Sequence, residues 1–219
     1  MKRIANDVVF LLFTYPAGLL IGVVFEGLCA CGLLEVKGSE NFPRQKGRIL
    51  VVSNHPYKGE QFLLTALFFV QYLLHPFKYG PYTMADLRNY YNSWLWWFLR
   101  PRLIPVDRTK RDGDPQSLWV ARRIIESGAN IITFPEGGRT GKGPARLVSR
   151  RGKEIRPLKG GFSFLATGAG VVTVLVWVEF SSWRSMKLTI GEPVKFEGMA
   201  REEVVQRTQE MLLELADAS

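Results

Sequence analysis

Cysteine and histidine are both scarce in this chain of 219 residues, with two of each. Cys29 and Cys31 stand one residue apart with no histidine nearby, a spacing that matches no common zinc signature. Two cysteines cannot form a disulfide scaffold, so the chain reads as a protein of the reducing side of a membrane. Several familiar catalytic and nucleotide-binding motifs are missing too. Gly161-Phe162-Ser163-Phe164 lacks the closing glycine of a G-x-S-x-G nucleophile elbow. Residues 138–143 lack phosphate-loop spacing, because Glu136 stands where the first glycine belongs. Gly168-Ala169-Gly170 lacks the third glycine of a dinucleotide loop and precedes a strand rather than a helix. Internal repeats and low-complexity tracts are absent.

Negative charge is also in deficit. Lys and Arg number 29 against 20 Asp and Glu, a formal charge of +9. Such an excess suits an anionic partner: a lipid surface, a nucleic acid or a phosphorylated substrate. Eight cations crowd residues 139–159 (Arg139, Lys142, Arg146, Arg150, Arg151, Lys153, Arg156 and Lys159) against Glu154 alone. A solvated loop is the plain alternative, but the run adjoins the strongest motif of the chain, which favours a surface that meets phosphate or an anionic membrane. A nucleic-acid partner is not expected, because the aromatics sit in apolar runs. With 47% apolar residues, six Trp and fourteen Phe, the chain is not disordered. Its length suits one domain with a substantial core and a small appendage.

Residues 8–25 carry no charge, and the apolar character continues past Glu26 to Leu34. As a helix, such a run rises about 27 Å, close to the thickness of a bilayer core. Pro16, Gly18, Gly22 and Glu26 would bend a simple span, so a helix or helix pair lying in one leaflet is the preferred reading. A true span, a helix buried in the protein's own core and a cleaved secretory segment are the alternatives. Lys2, Arg3 and Leu28-Cys29-Ala30-Cys31 loosely fit the last of these, and Glu26 opposes it. Residues 62–74 form a second apolar run of helical length. Residues 90–99 hold three Trp within four positions next to Arg100 and Arg102, a mixture suited to the headgroup level.

Periodicity and punctuation place the remaining elements. Residues 49–53 predict a buried strand ending in Asn54-His55-Pro56, with Pro56 opening a helix. Residues 78–81 read as a turn. Residues 103–106 predict a strand leading into Asp107-Arg108, and residues 116–127 an amphipathic helix stopped by Gly128. A strand over 130–134 runs into Pro135-Glu136-Gly137-Gly138-Arg139. Residues 162–167 and 202–215 predict helices, and 171–179 and 187–190 strands. Strands alternating with helices predict an α/β sandwich with a largely parallel sheet.

In such sheets reactive residues gather where loops leave the carboxyl ends of strands. Three predicted strands end in that fashion, before His55, before Asp107-Arg108 and before Glu136. His55 can take a proton from a hydroxyl near neutral pH. Glu60 would stand about 140° away within one continuous helix. With His55 in the loop ahead of the helix, the carboxylate can instead fold back onto the ring and fix its tautomer. A capping histidine beside a solvated glutamate is the alternative. No nucleophile pairs with His55, so direct attack by a substrate hydroxyl is the simpler chemistry.

Asn54-His55-Pro56-Tyr57-Lys58-Gly59-Glu60, Val106-Asp107-Arg108 and Phe134-Pro135-Glu136-Gly137-Gly138-Arg139-Thr140 resemble, in order and spacing, the first three blocks of the glycerolipid acyltransferase family, which includes the 1-acylglycerol-3-phosphate acyltransferases. Leu158-Lys159-Gly160-Gly161-Phe162 is similar to the lysine-glycine segment after the third block, and the resemblance covers residues 49–180. It implies a two-layer α/β acyltransferase-type sandwich over residues 35–219, a membrane-associated helical motif over residues 1–34, and an apolar tunnel for the acyl chain. By the same resemblance His55 is the base, Glu60 its carboxylate partner, and Arg108 the arginine of the second block. Glu136, Gly137 and Arg139 would hold the acceptor's phosphate or glycerol, with Lys159 beside them. The implied reaction moves an acyl group from acyl-CoA or acyl-carrier protein to lysophosphatidate, giving phosphatidate at the cytoplasmic face of the cell membrane. It needs no acyl-enzyme, no metal and no other cofactor.

Two departures from the pattern matter. Glu60 replaces the usual aspartate with a side chain one methylene longer. Residues 171–177 lack the prolines of the fourth block, which blurs the acceptor. Another lyso-lipid, a non-phosphorylated alcohol, or a catalytically weak membrane-associated protein that binds acyl carriers or lipid are the rival readings.

Overall fold

In the computed structural model, which describes residues 2–44, 47–57, 59–109, 114–141, 145–182 and 185–219, the run Ile49-Leu50-Val51-Val52-Ser53 is buried along its whole length. A strand apolar on both faces requires cover on both. This strand, β2 (Ile49–Ser53), accordingly lies in the middle of a seven-stranded sheet. The others are β1 (Leu34–Lys37), β3 (Tyr82–Asp86), β4 (Leu103–Val106), β5 (Ile131–Thr133), β8 (Val172–Ser182) and β9 (Ser185–Ile190). Their order is β1-β9-β8-β2-β5-β3-β4, while β6 (Leu147–Val148) and β7 (Glu154–Ile155) form a separate antiparallel hairpin. Within the large sheet every pairing is parallel except β8 with β9.

The helices are α1 (Lys2–Val9), α2 (Tyr15–Ala30), α3 (Glu60–Ala66), α4 (Phe69–Leu74), α5 (Pro76–Tyr79), α6 (Pro115–Glu126), α7 (Ser163–Ala166) and α8 (Arg201–Ala218). Alternation along β2 divides the core in two. Leu50 and Val52 pack with Ala121 and Ile125 of α6, Leu165 of α7 and Leu212 of α8. Ile49 and Val51 face the other way, toward Phe25 of α2, Leu64 of α3 and Phe68. The expected α/β sandwich is thus the sheet with α6, α7 and α8. The N-terminal segment and α3 cover its second face.

Ile4–Ala30 is one continuous helical rod of 27 residues, long and apolar enough to cross a membrane. Pro16 sits in the first turn of α2, and the π-helical turn Phe10–Thr14 just before it absorbs the missing backbone donor. Gly18 and Gly22 lie within the helical run. They are notches, one turn apart, that admit the rings of α4. A Cβ on Gly18 would lie 2.2 Å from Tyr72 Cε1, and one on Gly22 would lie 2.1 Å from Phe69 Cδ2. The Tyr72 hydroxyl donates to the Thr14 carbonyl at 2.9 Å, fastening the same contact.

Three expectations need correction. The helix after His55 begins at Glu60, not Pro56; Tyr57 stacks instead on Phe180 (centroids 4.5 Å apart, rings 8° from parallel), outside the helix. The apolar run at 62–74 is two helices. Phe68 leaves helical geometry between them to bury its ring against Phe42. Finally, β1 and β3 escaped sequence reading, since Tyr82-Thr83-Met84-Ala85-Asp86 carries its buried positions on the small residues Thr83 and Ala85. By contrast, α6 starts one residue before its expected position, and Gly128 takes a φ of +95° just past its end.

Gly18→Ala is expected to destabilise the full chain by about 1–3 kcal/mol through overpacking against Tyr72. Gly27→Ala, with open space around its Cβ, should hold or slightly raise the melting temperature. Equal melting temperatures for the two variants in thermal unfolding would show that the notch is not needed.

Candidate active site

Strand register assembles the site before any side chain is considered. Val52 lies level with Thr133 across the parallel β2–β5 pair. Three residues further on, His55 and Glu136 emerge together at the carboxyl edge. Asp86 lies level with Val106 across β3–β4, which carries Arg108 to the same edge. The three loops predicted to meet do meet.

Asn54 fixes where β2 ends. Its buried side chain donates to the Val178 carbonyl at 2.8 Å and accepts the Val178 N–H at 2.7 Å, extending the β2–β8 ladder by one side chain. His55 follows, half-buried, with its ring stacked on Phe134 at 4.8 Å. Its Nδ1 is hydrogen-bonded to Oε1 of Glu60, whose side chain is 1% exposed. Because Glu60 is the first residue of α3, its carboxylate points back over the turn to the ring. Occupation of Nδ1 leaves Nε2 as the nitrogen available to the cleft. With Nδ1–H donating to a carboxylate, Nε2 carries the lone pair a general base needs.

Glu136 is turned inward. It is 1% exposed. Oε1 accepts the His55 N–H at 2.8 Å and the Thr140 hydroxyl at 2.8 Å, and Oε2 accepts the Arg156 N–H at 2.9 Å. The Thr140 N–H adds a bond to the His55 carbonyl at 2.9 Å. A carboxylate so occupied ties the loops after β2, β5 and β7 together, and its burial is compensated by three donors.

The cleft beside the His55 ring has a volume of about 710 Å³ and is lined by Asp86, Tyr90, Arg108, Arg139 and Arg156 among others. Asp86 caps the turn that follows β3, accepting the N–H groups of Arg88 and Asn89, and pairs with Arg108 at 3.4 Å. The Tyr90 phenol is pushed above its ordinary pKa, first by burial and then by the charge of Glu60, against the opposing pull of Arg108 and Arg139. Gly137 and Lys159 do not line this cleft. They border a neighbouring depression of about 440 Å³, with Arg108 on the rim of both. Gly137 adopts a φ of +66°, and the Lys159 side chain passes where its Cβ would stand, 2.6 Å from Cε.

The basic run divides in the structure. Arg139 and Arg156 enter the cleft, Arg146 pairs with Glu154, and Lys153 pairs with Glu179. Lys58 and Lys142 lie outside the described residues. Asp86, Tyr90 and Arg156 were not singled out from sequence. The strand that delivers Asp86 and Tyr90 went unread, and Arg156 was one cation among eight. Among the described residues no cluster of three or more His, Cys, Asp or Glu side chains is arranged to hold a metal ion.

A histidine oriented by a buried carboxylate, in a cleft it shares with three arginines, is suited to general-base chemistry on an anionic substrate. Residues 33–179, well over half the chain, match the sequence profile of the family described as Acyltransferase, and the chain belongs to that family of enzymes. Its fold is similar to the crystal structure of the 1-acyl-sn-glycerophosphate (LPA) acyltransferase PlsC from Thermotoga maritima. The TM-score is 0.65 at 20% identity, covering 100% of this chain and 84% of that one. No curated protein matches the sequence.

Glu136→Ala should cost about 3 kcal/mol of stability, because it strands buried backbone donors. It should lower kcat and raise the acceptor KM together, because one oxygen fixes the His55 N–H and the other the N–H of Arg156, which lines the same cleft. A raised acceptor KM at unchanged kcat and melting temperature would instead place Glu136 against substrate.

Proposed function

We propose that the enzyme transfers a fatty acyl group from acyl-CoA or acyl-carrier protein to the hydroxyl of 1-acylglycerol-3-phosphate, giving phosphatidate, with His55 as general base. The observation that carries this reading is the His55–Glu60 pair in a cleft lined as well by Arg108, Arg139 and Arg156. Nε2 of His55 takes the proton of the acceptor hydroxyl as that oxygen attacks the thioester carbonyl. The tetrahedral intermediate collapses, the C–S bond breaks, and imidazolium returns the proton to the departing thiolate. Glu60 holds the tautomer and stabilises the imidazolium, and no acyl-enzyme forms. Arg139 supplies a planar fork of donors matched to phosphate.

The acyl chain would leave the cleft past Phe62, where an apolar pocket of about 50 Å³ must widen to admit it. Phe62 borders both the His55 cleft and a narrow pocket between α2 and α3, lined by Gly18, Ile21, Thr65 and Leu103. The outer surface of the same region supports membrane association, in keeping with residues 1–34 as a motif that lies in one leaflet above the domain of residues 35–219. Leu20 and Val23 of α2, Val70 and Leu74 of α4, and Trp94 are all exposed apolar side chains. The Trp94 face would rest at the headgroup level of an anionic, cytoplasmic leaflet.

The test is transfer of labelled acyl groups from acyl-CoA and from acyl-carrier protein to lysophosphatidate in vesicles, alongside uncharged and zwitterionic lyso-lipids. His55→Ala should lower kcat by at least about a hundredfold while circular dichroism stays unchanged. Near-wild-type transfer by that variant would remove His55 from the chemistry. Product from every acceptor except lysophosphatidate would move the substrate assignment.

A further inference from the structure

The cleft contains more positive charge than its pairings account for. Arg108 is balanced by Asp86 at 3.4 Å. Among the described residues the guanidinium groups of Arg139 and Arg156 have no carboxylate partner and no hydrogen bond, although both line the cleft with His55. Two unpaired cations in one concavity repel each other unless an anion is shared between them.

Arg156 reaches that position by construction. It follows β7, the second strand of the small hairpin, and its N–H is fixed on Glu136 Oε2 at 2.9 Å. The other oxygen of the same carboxylate fixes the His55 N–H at 2.8 Å. One buried group therefore sets the spacing between the backbone of Arg156 and that of the base. The side chain then crosses Gly138, where a Cβ would stand 2.4 Å from Arg156 Nη1. Gly138 has no positive φ to demand glycine, so what its missing side chain supplies is a passage for the guanidinium.

We propose that Arg156 and Arg139 form a two-guanidinium seat for a phosphate monoester on the acceptor, with Gly138 kept bare so that Arg156 can enter the cleft. The assignment rests on the acyltransfer reading above and deepens it by naming what selects the headgroup. A monoester is close to dianionic at neutral pH and offers three unesterified oxygens, enough for two forks. A phosphodiester offers two oxygens and one charge, and an uncharged alcohol offers nothing to either arginine.

The full chain in vesicles is assayed with lysophosphatidate, and binding of glycerol 3-phosphate is followed separately by its shift of the melting temperature. Arg156→Ala should raise the KM for lysophosphatidate by about tenfold or more, with a much smaller change in kcat, and should abolish the thermal shift. Arg156→Lys should recover part of both. Gly138→Ala should act in the same direction as Arg156→Ala, since its methyl group displaces the guanidinium while the loop can keep its fold. An unchanged KM and thermal shift for Arg156→Ala, beside a raised KM for Arg139→Ala, would overturn the seat and leave the acyltransfer reading standing. A fall in kcat and melting temperature at constant KM would reduce Arg156 to a structural role and overturn it too. Should the wild type transfer to no acceptor, the acyltransfer reading fails. An Arg156-dependent shift with glycerol 3-phosphate would still support the anion seat, and its absence would overturn both.

Discussion

The carboxylate of Glu136 is the point on which the catalytic edge depends. It stands opposite His55 because β2 and β5 run parallel in a register that leaves residues 55 and 136 level. Its two oxygens then take the N–H of His55, the N–H of Arg156 and the hydroxyl of Thr140. Burying a carboxylate is costly, and this arrangement offsets the cost with donors that would otherwise be unsatisfied loop amides. The acid that looks from sequence like a substrate ligand is spent on the frame.

The same economy of position explains His55 and Glu60. In a continuous helix the two would face apart by about 140°. Tyr57 stacks on Phe180 instead of entering the helix, and α3 begins at Glu60, so the carboxylate starts the helix and faces the ring. A side chain one methylene longer than aspartate is therefore no obstacle. It reaches the ring from the first position of α3, while Tyr57 is held against β8, an element more than a hundred residues away in sequence.

What could be read from sequence follows from how local its cause is. The buried strand Ile49–Ser53, the short strand Leu103–Val106, the amphipathic α6 and the closing α8 announce themselves through periodicity and caps. The loops bearing His55, Arg108 and Arg139 were placed by the rule that strands of a parallel sheet end on one side. What escaped depends on distant packing. β3 hides behind small buried residues, the break at Phe68 exists to bury one ring against Phe42, and the glycines of α2 are explained only by the rings of α4. Arg156 was invisible for the same reason. Nothing adjacent in sequence separates it from Arg150 or Arg151, and only the hairpin of β6 and β7 carries it into the cleft while they stay at an outer turn against Asp217.

Under the proposed function, that division of the basic run would let a small enzyme meet both a membrane and a phosphate with one stretch of chain. If all the cations of residues 139–159 faced outward, they would attract anionic lipid without distinguishing a substrate from its neighbours. Pairing Arg146 with Glu154 and Lys153 with Glu179 removes two of them from that competition. The turn at Arg150 and Arg151 stays exposed, available to a surface. Arg139 and Arg156 remain unpaired, inside the cleft and within the shell that Glu136 fixes around His55. Under the proposed function, attraction to the leaflet and recognition of the headgroup would fall to different side chains. Of the two, Arg156 has its backbone fixed by the same carboxylate that fixes the N–H of His55.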